Sequence, residues 1–195
     1  MSKVIWIDTE TTGLDPKIHG LREVGFLIEI DGKIVEEGFL LIDTMTYKNE
    51  KYISKYVCNV MNVSEVLLAT YPDSHESLVK FENILHKYVN KDSKSKFQMA
   101  GFNVKFDYEF IEEWFKDDNG EFNYFDTYFG HQRLDVLELV RHLKHWKLFE
   151  TKNNKLETLC NHFDVEIEAH QALSDIQATK ILHQVLNEQF IKSSK

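Results

Sequence analysis

Residues 4–15 read VIWIDTETTGLD: an apolar run, then Asp8 and Glu10 on either side of Thr9, then a Thr-Thr-Gly turn. The apolar opening reads as a buried strand over Lys3–Asp8. Side chains two apart on a strand share a face, so Asp8 and Glu10 project together while Thr9 points away. Two carboxylates held side by side at the end of a core strand repel each other and lose hydration. A divalent cation with oxygen ligands relieves both penalties, and Mg2+ is commonly held by a few carboxylates plus substrate phosphate. A solvated strand end relieves them too, and this stretch alone leaves the choice open.

Outward from that strand, VGFLIEIDGKIVEEGFLLI (residues 24–42) places Asp31-Gly32 between two runs rich in Val, Ile, Leu and Phe. Asp-Gly suits a tight hairpin because its turn needs positive φ at both central positions. Residues 43–71 predict a loop followed by short helices. In PDSHESLVKFENILHKYV, Asp73 and Glu76 resemble a capping box, and Leu78, Phe81, Leu85 and Tyr88 recur at helical spacing. KFQMAGF predicts a fourth strand leading directly into the helix DYEFIEEWF, and KDDNGEFN a surface loop. RLDVLELVRHLKHW predicts a short fifth strand running into a helix. KLETLCNHF and ALSDIQATKILHQVLNEQF predict two more helices, and IKSSK a frayed tail. The order β-β-β-α-β-α-β-α-α-α implies an α/β class with a mixed five-stranded sheet flanked by helices, its first three strands antiparallel. One domain over residues 1–190 with a polar tail at 191–195 is the expected organisation.

Composition narrows the function classes. A chain of 195 residues with 43% hydrophobic and 13% aromatic content can bury a sizeable core. Its two cysteines, Cys58 and Cys160, have neither zinc-knuckle spacing nor the density of a disulfide framework, which fits a reducing compartment. No apolar run approaches a membrane span and the N-terminus lacks a signal-peptide pattern, so a cytoplasmic protein without a membrane partner is expected. The net charge of −9 gives no support to polyanion binding through overall charge. A polyanion partner would need bound cations or a local basic track, for which the lysines at 87, 91, 94, 96 and 105, or at 144, 147, 152 and 155, are candidates.

Further acids follow in chain order. Asp107 stands where the fourth strand enters a helix, a position that also suits an ordinary first-turn acid. His170 and Asp175 flank the start of the last helix, where Ser174 and Gln177 form a possible capping box that would make Asp175 a first-turn acid. Asp135, within RLDV, reads as the cap of the helix that follows.

Taken together, Asp8-Thr9-Glu10-Thr11-Thr12-Gly13, then Asn103-x-x-Phe106-Asp107, then His170-x4-Asp175, resemble the DEDDh 3′→5′ exonucleases. That family includes the proofreading subunits of bacterial replicative polymerases and oligoribonuclease. The resemblance covers nearly the whole chain, most weakly between residues 43 and 75. It implies an RNase H-like fold and a two-ion site for Mg2+ or Mn2+ with Asp8, Glu10, Asp107 and Asp175 as ligands. His170 would be the general base. Position 171, where the family's tyrosine branch carries Tyr, is Gln171, and His170 at the four-residue gap before Asp175 places the chain in the histidine branch. Thr11 would meet the terminal 3′-hydroxyl and Asn103 would belong to the substrate contacts, while Leu14 would either wedge between the last bases or serve ordinary packing. Where many members carry His-Asn, this chain has Phe102-Asn103, and Phe102 suits either base stacking or the core. The implied partner is a single-stranded DNA 3′ end, with a DNA polymerase as a possible associate. An RNA 3′ end, or a binding subunit that has lost catalysis, are the alternatives.

Overall fold

The computed structural model describes residues 2–89, 95–119, 124–168 and 171–191. His170 therefore lies outside the described residues, as do Lys91, Lys94 and the end of the tail. Five strands form one sheet in the order β3-β2-β1-β4-β5, with β1 (Lys3–Thr11) in the centre. β2 (Leu21–Ile30) pairs antiparallel with β1 and with β3 (Lys33–Leu41), and the β2–β3 hairpin turns at Asp31 and Gly32, both with positive φ. β4 (Phe97–Gly101) runs parallel to β1, and β5 (Phe129–Asp135) parallel to β4. The mixed sheet and its antiparallel first three strands match the expectation.

Alternation along β1 sets the two layers. Ile5 and Ile7 face a core shared with Val24, Phe26 and Ile28 of β2. Helices α3 (Ser74–His86) and α4 (Lys105–Asn119) close that core with Leu78, Phe81, Leu85, Phe110, Ile111 and Trp114. Val4 and Trp6 face the other side, where α6 (Val136–His145) and α8 (Ala172–Leu186) contribute Val136, Val140, Ile176 and Leu182. Trp6 and Trp114 are almost fully buried, and each indole N–H donates a hydrogen bond, to Glu29 Oε2 at 3.0 Å and Ser74 Oγ at 2.9 Å. Short helices α1 (Lys55–Val60) and α2 (Glu65–Leu68) occupy the region read as loop and short helices.

Several boundaries differ from the sequence reading. β1 continues three residues past Asp8 because antiparallel pairing with β2 carries it to Thr11. β5 begins at Phe129 rather than Arg133 and is preceded by α5 (Phe125–Tyr128). Phe125, Tyr128 and Phe129 are buried against Phe115, an aromatic cluster without the strand or helix periodicity that reveals an element in sequence. The last helix starts with Gln171 as its N-cap, so the Ser174–Gln177 capping box does not form. Ser174 Oγ instead accepts the Glu168 backbone N–H at 2.9 Å. Beyond Leu186 that helix passes into a π-helical turn over Asn187–Ile191.

Candidate active site

The acids collect at the carboxyl ends of the parallel strands, where open α/β sheets commonly bind ligands. Asp8 and Glu10 come from the end of β1, and Asp175 from the first turn of α8. Carboxylate oxygens of Asp8, Glu10 and Asp175 all lie within 4.8 Å of one another. Gly25 makes this approach possible. It pairs with Asp8 across the sheet, and a Cβ there would sit 2.3 Å from the Ala172 carbonyl carbon. The bare backbone at position 25 thus lets the start of α8 rest on the sheet and bring Asp175 alongside Asp8.

Asp107 occupies a different setting. It is buried in α4, on the Thr9 side of β1, and its Oδ1 accepts Thr9 N–H at 2.9 Å and the Thr9 hydroxyl at 2.8 Å. Burial raises its carboxyl to about 7 against the lowering pull of the Thr9 hydrogen bonds, with Asp135 adding like-charge repulsion. Asp8 is raised well above the ordinary aspartate range, first by burial and then by the charges of Asp107, Asp175, Glu10 and Glu23. Asp107 is thus close enough to act on Asp8 electrostatically but is not one of the three acids in mutual ligand range. Asp135 caps α6, accepting Leu137 N–H at 2.9 Å, and also accepts Asn103 N–H at 3.0 Å.

The donor set suits a hard divalent cation, which takes carboxylate oxygens. Asp8 shows the physical need: a partly buried carboxyl driven toward its neutral form by surrounding acids regains its charge when a cation is present. Asp8, Glu10 and Asp175 therefore fit a metal centre, and Asp107 fits a supporting place beside it.

The expected substrate residues divide. Thr11 and Leu14 line a cleft of about 240 Å3 together with Glu10, Arg22, Tyr56 and Phe106. Leu14 is 84% exposed, so packing does not explain it. The loop that carries it is well anchored. Thr12 Oγ1 donates to Tyr52 O at 2.8 Å, and the buried Lys51 ammonium donates to Pro16 O at 2.8 Å and Lys17 O at 3.3 Å. Asn103 is exposed with φ 60° at the β4–α4 junction and is not among the cleft's lining residues. Phe102 is partly buried and packs against the core between β1, α6 and α8.

None of the candidate lysines among the described residues lines the cleft. Lys87 pairs with Glu36 at 2.7 Å, Lys105 with Glu109 at 3.0 Å, and Lys144 is spent on Thr151 and Asn154. Two residues missed in the sequence stand beside Glu10 instead. Arg22 donates from Nη2 to Glu10 Oε2 at 2.8 Å, and Glu23 lies directly across the sheet from Glu10. Burial raises the Glu23 carboxyl, while Arg22 and a hydrogen bond from the Ala172 backbone at the start of α8 oppose the shift. Only the strand register, which spacing in the chain does not encode, brings these two to Glu10.

The RNase_T exonuclease family matches residues 5–182 of the chain. A PolC-type DNA polymerase III from Thermotoga petrophila is 30% identical over 124 residues, 62% of this chain but 8% of that protein. Oligoribonuclease of Buchnera aphidicola subsp. Baizongia pistaciae is 27% identical over 172 residues, covering 83% of this chain and 98% of that one. The DNA polymerase III subunit epsilon of the same organism is 27% identical over 179 residues, covering 88% and 65%. In three dimensions, Escherichia coli Exonuclease I in its single-stranded DNA complex superposes with a TM-score of 0.78 at 15% identity, over 97% of this chain and 41% of that one. Among the described residues no helix is long and apolar enough to cross a membrane. With a family match spanning nearly all of the sheet and the helices that deliver Asp8, Glu10, Asp107 and Asp175, the chain belongs to the RNase_T family of exonucleases.

Proposed function

We propose that this protein is a metal-dependent 3′→5′ exonuclease that removes nucleoside 5′-monophosphates from single-stranded DNA ends. The observation that carries this reading is the convergence of Asp8, Glu10 and Asp175 within 4.8 Å, beside a cleft lined by Thr11 and Leu14. Asp8, Glu10 and Asp175 are the ligands, with Asp107 in support. Bound there, two Mg2+ or Mn2+ ions supply the positive charge that the attacked phosphate and the departing oxygen require. His170, five residues before Asp175, serves as the general base and takes the proton of the attacking water. The water oxygen bonds to phosphorus as the bond from phosphorus to the penultimate 3′ oxygen breaks, and that oxygen gains a proton from solvent. Thr11 and Leu14 seat the terminal nucleotide, and Asn103 contributes at the edge of the site. The PolC-type and epsilon relatives, both named for DNA polymerase III, favour a place beside a polymerase, and we infer a role there in proofreading or repair.

A second reading, an RNA 3′→5′ exonuclease, is favoured by the match to 98% of the length of an oligoribonuclease. Both readings are tested with 5′-labelled single-stranded DNA and RNA of matched sequence, in Mg2+ or Mn2+. Progressive shortening, abolished by EDTA and by Asp8→Ala or His170→Ala, is the expected result, and the preferred polymer chooses between the readings. Failure to shorten either polymer in either metal would overturn both and leave a binding subunit as the surviving alternative.

A further inference from the structure

Arg22 owes its position to an irregularity in the sheet. Thr11 pairs with Leu21 and Glu10 with Glu23, so Arg22 is the extra residue of a β-bulge and has no partner on β1. In a regular strand consecutive side chains point to opposite faces, and a bulge re-aims one of them. Here it turns Arg22 toward Glu10, whose carboxylate it meets through Nη2 at 2.8 Å while both side chains are largely buried. Arg22 Nε is buried too, without a hydrogen-bond partner. Nε and Nη2 form one edge of the guanidinium, the edge that matches two oxygens of a carboxylate or a phosphate. Glu10 engages only half of it. Among the described residues, Arg22 is also the one cation lining the cleft that holds Thr11 and Leu14.

We propose that Arg22 is a charge-exchange residue: it competes with a divalent cation for Glu10, and it binds a phosphate oxygen of the nucleic-acid end once the cation takes that carboxylate over. This rests on the exonuclease reading for the phosphate half, whereas the competition for Glu10 stands apart from any reaction. The exchange keeps charge balanced at each stage. Without a cation, Arg22 offsets part of the negative charge of Glu10, Asp8, Asp175 and Glu23. With a cation present, its side edge is released toward an incoming phosphate that would otherwise meet a wall of acids.

The two halves predict opposite effects of one substitution. Removing the charge with Arg22→Met frees Glu10, so Mn2+ alone, measured by titration calorimetry on nucleic-acid-free protein, binds about tenfold tighter. The same variant loses its phosphate contact, so the KM for a single-stranded oligonucleotide rises about tenfold while kcat changes little. Arg22→Lys restores a positive charge without the fork, so its Mn2+ affinity returns toward wild type while its KM stays raised. Circular dichroism melts of both variants establish that the fold is intact. Unchanged or weaker Mn2+ binding by a folded Arg22→Met protein overturns the competition, and an unchanged KM overturns the phosphate contact. If wild-type protein shortens no oligonucleotide, the exonuclease reading falls, and the Mn2+ titration still decides whether Arg22 and the cation share Glu10.

Discussion

Asp107→Asn gives the most quantitative test of the site's electrostatics. Burial raises the Asp107 carboxyl from an ordinary 3.8 to about 7, and the structure shows its Oδ1 already holding both the Thr9 N–H and hydroxyl. A carboxyl raised in the folded state stabilises the fold fully below its unfolded value, and that stability is lost as pH rises through the folded value. For Asp107 the window runs from about pH 4 to about pH 7. Ionising it in the metal-free protein costs about 4 kcal/mol in all, at 1.36 kcal/mol per unit. An amide keeps a carbonyl oxygen for Thr9 and never ionises. The stability of Asp107→Asn relative to wild type should therefore increase by about 2.5 kcal/mol between about pH 5 and about pH 8.5. Relief of repulsion on Asp8 acts in the same direction. The assay is urea denaturation in EDTA across that range, with equal m-values confirming that the same transition is compared. Excess Mn2+ should shrink or reverse the difference, because a cation favours the ionised carboxylates that only wild type can offer in full. A stability difference independent of pH in EDTA would refute the claim that burial governs Asp107.

Three other substitutions probe the frame. Gly25→Ala should lower stability by about 2 kcal/mol or more and reduce kcat, because its new methyl meets the backbone of Ala172 and displaces α8; a wild-type melting temperature would show that α8 does not need this approach. Lys51→Met should cost about 2 kcal/mol by stranding the Pro16 and Lys17 carbonyls, read as a lower urea midpoint, and should raise KM by loosening the loop that carries Leu14. Leu14→Ala should shift stability by less than about 0.5 kcal/mol, since the side chain is 84% exposed, yet raise KM for single-stranded oligonucleotides several-fold. An unchanged KM for Leu14→Ala would remove it from the substrate contacts.

The strands and helices with regular periodicity were legible in the chain. The hairpin at Asp31-Gly32, the Asp73 cap of α3 and the Asp135 cap of α6 all follow from local chemistry, and each is present. α5 and the early start of β5 were not legible, because Phe125, Tyr128 and Phe129 are fixed by packing on Phe115 rather than by any repeat of their own. The capping box expected at Ser174 failed for a related reason. Contact of the Ala172 backbone with Gly25 places the start of α8 on the sheet, and the helix begins before Ser174.

The sequence by itself determined that Asp8 and Glu10 share one face of a strand, since that follows from a two-residue repeat and nothing else. It also placed Asp107 and Asp175 near helix starts, within the order of motifs that resembles an exonuclease. Only the tertiary structure decided which acids meet: Asp175 joins Asp8 and Glu10, while Asp107 is held by Thr9 beside them. It alone exposed Arg22, because a bulge is a property of two paired strands and alters a side chain's direction without altering the local pattern of residues.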